Sequence, residues 1–145
     1  MELKDLLTNH LLINALAAWA VAQILKTIIY AATNKTLEWE RLFGDGGMPS
    51  GHSATVTALA TTAGLEYGLG SAYFALAATL AIIVMHDAMS VRLEAGKHAK
   101  ALNELIDLLS SDLESDIKLK ELLGHTPIQV VVGATLGLLV ALFLQ

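Results

Sequence analysis

From Leu11 to Thr33 the chain runs LLINALAAWAVAQILKTIIYAAT with a single charge, Lys26. At about 1.5 Å per residue, a helix of that length crosses a hydrocarbon core of roughly 30 Å. Composition supports lipid as its surroundings, because only 16% of the 145 residues are charged and 54% are hydrophobic, whereas a soluble domain carries about 25% charged residues. The run reads as a retained membrane helix. A cleaved leader would need a basic leading segment and a small-residue cleavage site, and a shorter apolar part.

Three further runs follow: a short one rich in Ala and Thr at about 53–67, a nearly uniform one at 71–89, and a third at 127–144. The Gly-rich link Gly64 to Gly70 makes the first two of these a hairpin. Pro127 stands where a helix start tolerates it, and Gly133 and Gly137 form a small-residue face suited to close packing, within the bundle or between copies as a homo-oligomer. The expected fold is all-α, an integral membrane helical bundle with about four transmembrane spans in a single domain over 1–145. A soluble bundle hidden by oligomerisation is the competing reading, but the run at 127–144 and most of the run at 71–89 have no polar face.

Most of the charge lies in an insert at about 92–123, where Ala95, Ala99, Leu102, Leu105, Ile106 and Leu109 recur at helical spacing. This predicts an amphipathic helix outside the membrane. Ser110, Ser111 and Asp112 then read as a break before a second short helix ending at Gly124. The chain has no Cys, which excludes disulfides and thiolate chemistry, and its net charge of -5 argues against nucleic acid as a partner. No tight His and carboxylate spacing marks a metal site, and no cofactor is expected.

The chemistry concentrates in GDGGMPSGHSA, Gly44 to Ala54. Glycines with open backbone N–H groups, a helix start and an imidazole together make an anion site that suits phosphate. The plainer alternative is a helix cap from Ser50 or Ser53 with His52 merely interfacial.

Pro49-Ser50-Gly51-His52 resembles the central motif of the phosphatidic acid phosphatase type 2 superfamily, and His125-Thr126-Pro127-Ile128-Gln129-Val130 through Gly133 and Gly137 is similar to its last motif. In that motif an Asp follows the His by four residues, whereas Gln129 stands here. The superfamily's Arg shortly before this His is represented by Arg92, across the insert. This split arrangement resembles the divergent branch of the superfamily, small membrane proteins of bacteria and plants. An undivided alignment, Arg92 to Gly96 to His98, offers His98 as an alternative nucleophile and leaves Leu102 in the Asp position.

The resemblance implies metal-independent hydrolysis of a lipid phosphate or polyprenyl diphosphate, with His125 as nucleophile and His52 as proton donor. Arg92 and Arg41 are the first expected phosphate ligands, since a guanidinium matches phosphate oxygens in pairs, with Ser50, Gly51, Lys35 and Lys97 beside them. Asp87 is expected to pair with Arg92 or a His, and to supply the carboxylate that Gln129 lacks. Lys26 is expected to snorkel to the headgroups, with reaching the site as the alternative. Loss of the carboxylate leaves a non-catalytic lipid-phosphate binder or transporter as the alternative to an acid-phosphatase-like enzyme. The excess of Lys and Arg in the loops carrying the motifs places the site in the cytoplasm of a bacterial cell membrane.

Overall fold

The computed structural model describes residues 4–36, 47–109, 119 and 124–145. Among them run six helices: α1 (Lys4–Leu7), α2 (His10–Asn34), α3 (Gly51–Tyr67), α4 (Ala72–Met89), α5 (Val91–Leu109) and α6 (Pro127–Leu144). No strand occurs among the described residues. The expected all-α bundle is observed, and the four apolar runs become α2, α3, α4 and α6 within a residue or two of their expected bounds. The short helix expected before Gly124 lies outside the described residues, as does Arg41.

Side chains that satisfy orphan N–H groups set the helix starts. The Asn9 side chain accepts from Leu12 N, Ser50 from Ser53 N and Ser71 from Phe74 N. Thr126 and Gln129 form a reciprocal capping box at α6, with Pro127 in the first turn. Between the two candidates for the α3 cap, the structure uses Ser50.

Among the described residues, three stretches are long and apolar enough to cross a membrane: α2, the Ala72–Leu108 stretch that contains α4, and α6. The remaining bundle helix, α3, has 17 residues, about 25 Å of rise. It packs against α2, α4 and α6. A helix enclosed on three sides meets little lipid, so it tolerates the Thr and Gly content that weakens its apolar signal. The expectation of about four spans therefore becomes three apolar helices around a fourth of different character.

The core is built from small residues. Ala18, Ala22, Ala54, Ala58 and Ala141 are fully buried together, with Leu136 and Val140 against them. Without a hydrophobic drive between helices in lipid, close backbone approach and dispersion contacts hold such a bundle. Gly133 and Gly137 show the limit: a Cβ added at either would collide with the carbonyl oxygen of Ser50 or Ala54 on α3. Their face is thus filled by α3 from within the chain, the first of the two arrangements it suits.

Hydroxyls in the apolar helices bond to their own backbone, Thr27 to Gln23 O at 2.9 Å, Thr79 to Ala75 O at 2.8 Å and Thr135 to Val131 O at 2.9 Å. Asn14 Nδ2 donates to Thr62 Oγ1 at 3.1 Å across the α2/α3 seam. At the far end of the bundle, His10 Nδ1 meets Glu66 Oε1 at 2.7 Å. The opposite end, where α2 and α4 finish and α3 and α6 begin, carries the motifs.

Candidate functional site

Two helix starts converge at that end. Ser50 N donates to Gln129 O at 3.1 Å, pinning the loop before α3 to the first turn of α6. His125 N donates to Ala88 O at 2.9 Å, which ties the entry of α6 to the last turn of α4. The rings of His52 and His125 come to 5.9 Å between centroids, tilted by 59°, although they are far apart in sequence. Both helix N-termini direct their partial positive charge into this region.

Arg92 completes the group from the start of α5. Its Nε donates to Asp87 Oδ2 at 2.7 Å, and its Nη1 lies 3.4 Å from His52 Nε2. A guanidinium can only donate, so His52 Nε2 accepts here and the ring's proton sits on Nδ1. The expected pairing of Asp87 with Arg92 is therefore observed. On α5, Arg92 shares one stripe with the buried Gly96, Ala99 and Asn103. Asn103 in turn exchanges two 2.9 Å hydrogen bonds with the backbone of Leu119.

Gln129 stands beside His125, with its Oε1 at 3.4 Å from Nδ1. The same oxygen accepts from Thr126 N at 2.9 Å, which identifies it as the carbonyl end of the amide. His125 Nδ1 is then the donor, and Nε2 carries the lone pair. The imidazole is buried, at 3% exposure.

Gly124 explains how His125 reaches this position. Its φ is +88°, and an added Cβ would stand 2.7 Å from Arg92 C and collide with Leu93 N. Backbone against backbone at that point brings the α6 entry onto the start of α5. The sequence reading assigned Gly124 to the end of a short helix, and no local signal distinguishes the two roles.

The other expected ligands lie differently. Ser50 is fully buried, and its hydroxyl accepts from Ser53 N at 3.3 Å and Ser53 Oγ at 3.0 Å. It shapes the loop. Gly51 is buried against Trp19 and Gln23 of α2. Lys35 is exposed at the end of α2, in the left-handed conformation with φ 56°. Lys97 Nζ reaches Glu94 Oε1 at 2.6 Å on the exposed side of α5, roughly 140° around the helix from Arg92. That hydrogen bond, and then the Lys97 charge, hold the Glu94 carboxyl below its ordinary pKa. His98 is likewise exposed on α5.

Lys26 departs most from expectation. Rather than snorkelling, it is buried at 6% exposure. Its stem packs against Gly47, where a Cβ would stand 3.2 Å from Lys26 Cγ. With Tyr30, Thr33, Asn34 and Met48 it lines a cavity of about 200 Å³ next to the loop that leads to His52. Its signal in the sequence was its standing as the lone charge in a span.

Comparison with known proteins gives the family. A family model described as the Divergent PAP2 family matches residues 7–140. The chain belongs to the Divergent PAP2 family. It is 43% identical to the uncharacterized membrane protein YuiD of Bacillus subtilis (strain 168), over 97% of this chain and 96% of that one. No solved structure matches the chain. The three apolar helices and this relative make the chain a PAP2-like membrane protein.

Proposed function

We propose that this member of the Divergent PAP2 family binds a lipid phosphate or polyprenyl diphosphate at the membrane surface and hydrolyses it through His125. One observation carries the reading: two histidines and a guanidinium meet where two helix N-termini converge, with ring centroids 5.9 Å apart and Arg92 3.4 Å from His52. Phosphoryl transfer asks chiefly for positioning and for fixed positive charge around the transferred group.

In this reading a phosphate enters between Arg92 and His52, takes over guanidinium donors, and favours the protonated form of His52. His125 Nε2 attacks phosphorus as the bond to the leaving oxygen breaks, and His52 gives that oxygen its proton. Neutral His52 then takes a proton from water, whose oxygen attacks phosphorus and frees His125 with release of inorganic phosphate. Asp87 holds Arg92 in place, and Lys26 supports the loop that leads to His52. The excess of Lys and Arg in the loops that carry the motifs supports a site facing the cytoplasm.

Gln129 favours a second reading, a lipid-phosphate binder without turnover. Its amide accepts from His125 but supplies no charge to stabilise the imidazolium, and the analogous loss in a serine protease costs about 10⁴ in rate. Purified protein assayed for phosphate release from phosphatidic acid and undecaprenyl diphosphate separates the two. Release that His52→Ala and His125→Ala abolish supports the enzyme. Saturable binding without release in the wild type supports the binder, and absence of binding overturns both.

A further inference from the structure

We infer that the lipid reaches this site sideways from the bilayer, through the opening between α2 and α4, and that its chain stays in that opening while its phosphate meets Arg92 and His52. This rests on the reading above that the site takes a lipid phosphate.

Contacts fix which side of α3 each neighbour occupies. Gly51 lies against Trp19 and Thr62 accepts from Asn14, both of α2, while Ser50 and Ala54 meet Gly133 and Gly137 of α6, and Gly64 faces Phe74 of α4. At about 100° per residue, His52 stands opposite the α6 side and between the α2 and α4 sides, and Leu59 lies on the same line two turns further along. Both are partly exposed. Among the described residues no Cα of α2 comes within 8 Å of one in α4, so this line of α3 faces lipid.

The flank of α4 that borders the opening carries the other half of the site. Ala77, Ala81 and Ala88 are buried toward α3, and Asp87 lies about 100° round from Ala88. Below Asp87, at spacings of four, three and four residues, Ile83, Leu80 and Leu76 are all exposed, one apolar stripe with the carboxylate at its top. Ala78 and Met85, which face α6, stand on the opposite flank. His52 and Asp87 therefore crown apolar lines that meet the same opening, in direction around each helix as well as in height.

Depth points the same way. His10 and Glu66 pair at the far surface, and the run from Glu66 to His52 rises about 21 Å, against a hydrocarbon core of roughly 30 Å. His52 thus stands below the opposite headgroups. A phosphate on a lipid arrives there from the side with its methylenes still in lipid, whereas entry from water alone would expose them.

Photolabelling in phosphatidylcholine vesicles tests the route. A phosphatidic acid carrying a mid-chain diazirine should label Leu59 and Leu80 about fivefold more than the exposed Leu139 of α6, since phosphate capture raises the local chain concentration. A diacylglycerol with the same chain should show no such preference. Ile83→Trp, which adds bulk on the stripe at an exposed position, should abolish the preference, and Ile82→Trp, one residue away and facing outward, should leave it unchanged. Inorganic phosphate, which needs no route through lipid, should bind both variants as it binds the wild type. If Arg92→Ala weakens phosphatidic acid binding but the label is even, or falls on Ala78 and Leu142 instead, or the two Trp substitutions act alike, the lateral route falls and the phosphate site stands. If no phosphatidic acid binding depends on Arg92, the phosphate site falls and takes the route with it.

Discussion

Arg92 is the cation that the fold delivers to the histidines, and its position makes a specific demand. Arg92→Ala should weaken phosphate-lipid binding about 100-fold, with Arg92→Lys recovering only part, because an ammonium cannot bridge Asp87 and an anion as a fork does. Lys97→Ala should leave the same binding within about twofold, since that exposed side chain already pairs with Glu94. Calorimetric titration of all three variants checks the contrast, and equal losses would return Lys97 to the site. Gln129 allows a test in the opposite direction. Gln129→Glu keeps the capping-box geometry and puts a carboxylate beside His125 Nδ1, so phosphate release should rise about tenfold or more. An unchanged rate would show that the missing charge is not what limits turnover. At Gly124 the expected effect is structural, because any side chain meets the backbone of Arg92 and Leu93. Gly124→Ala should cost about 1–3 kcal/mol and lower activity as His125 moves. Thermal unfolding in detergent, together with an activity assay, follows both.

Among the elements, the seam between α3 and α6 matters most, since it carries both the core and the link between the two motifs. Gly133 and Gly137 let the helix backbones touch, and through Ser50 N and Gln129 O that closeness also fixes the loop before His52. Gly137→Val should therefore destabilise the bundle by about 2 kcal/mol or more and reduce activity, though it lies far from the histidines along α6. Unfolding in mixed detergent micelles reads the stability change. A variant as stable as wild type would mean that α3 and α6 can separate at little cost. The sequence pattern identified this face as suited to close packing. It did not say which helix would fill it, since a small-residue stripe accepts a neighbour from the same chain or another.

At the scale of the whole molecule, the bundle separates a site end from a far end. The far end holds the His10 and Glu66 pair and the turn between α3 and α4, and the site end holds His52, Arg92 and His125. Because the chain contains no Cys, single substitutions can report sidedness. Ser90→Cys should react with an impermeant maleimide only from the cytoplasmic side and Gly70→Cys only from the outside, as the distribution of Lys and Arg requires. The reverse pattern would turn the site outward, and reaction of both from one side would overturn the spanning arrangement.

Bundle helices were legible in the sequence because apolar runs, caps and glycine links act locally: Ser50 and Pro127 mark starts without reference to any neighbour. The two motif histidines and Arg92 were legible through their resemblance to a family, with Asp87 as a partner for Arg92. The buried place of Lys26, the α3 partner for Gly133 and Gly137, and the role of Gly124 were not legible, because each depends on what another segment puts opposite. Sequence by itself determined an all-α membrane chain with a phosphate-type motif. Tertiary structure alone decided that Lys26 is buried and that α3 fills the Gly133 and Gly137 face, since contacts between distant segments depend on how helices pack and local chemistry does not encode that packing.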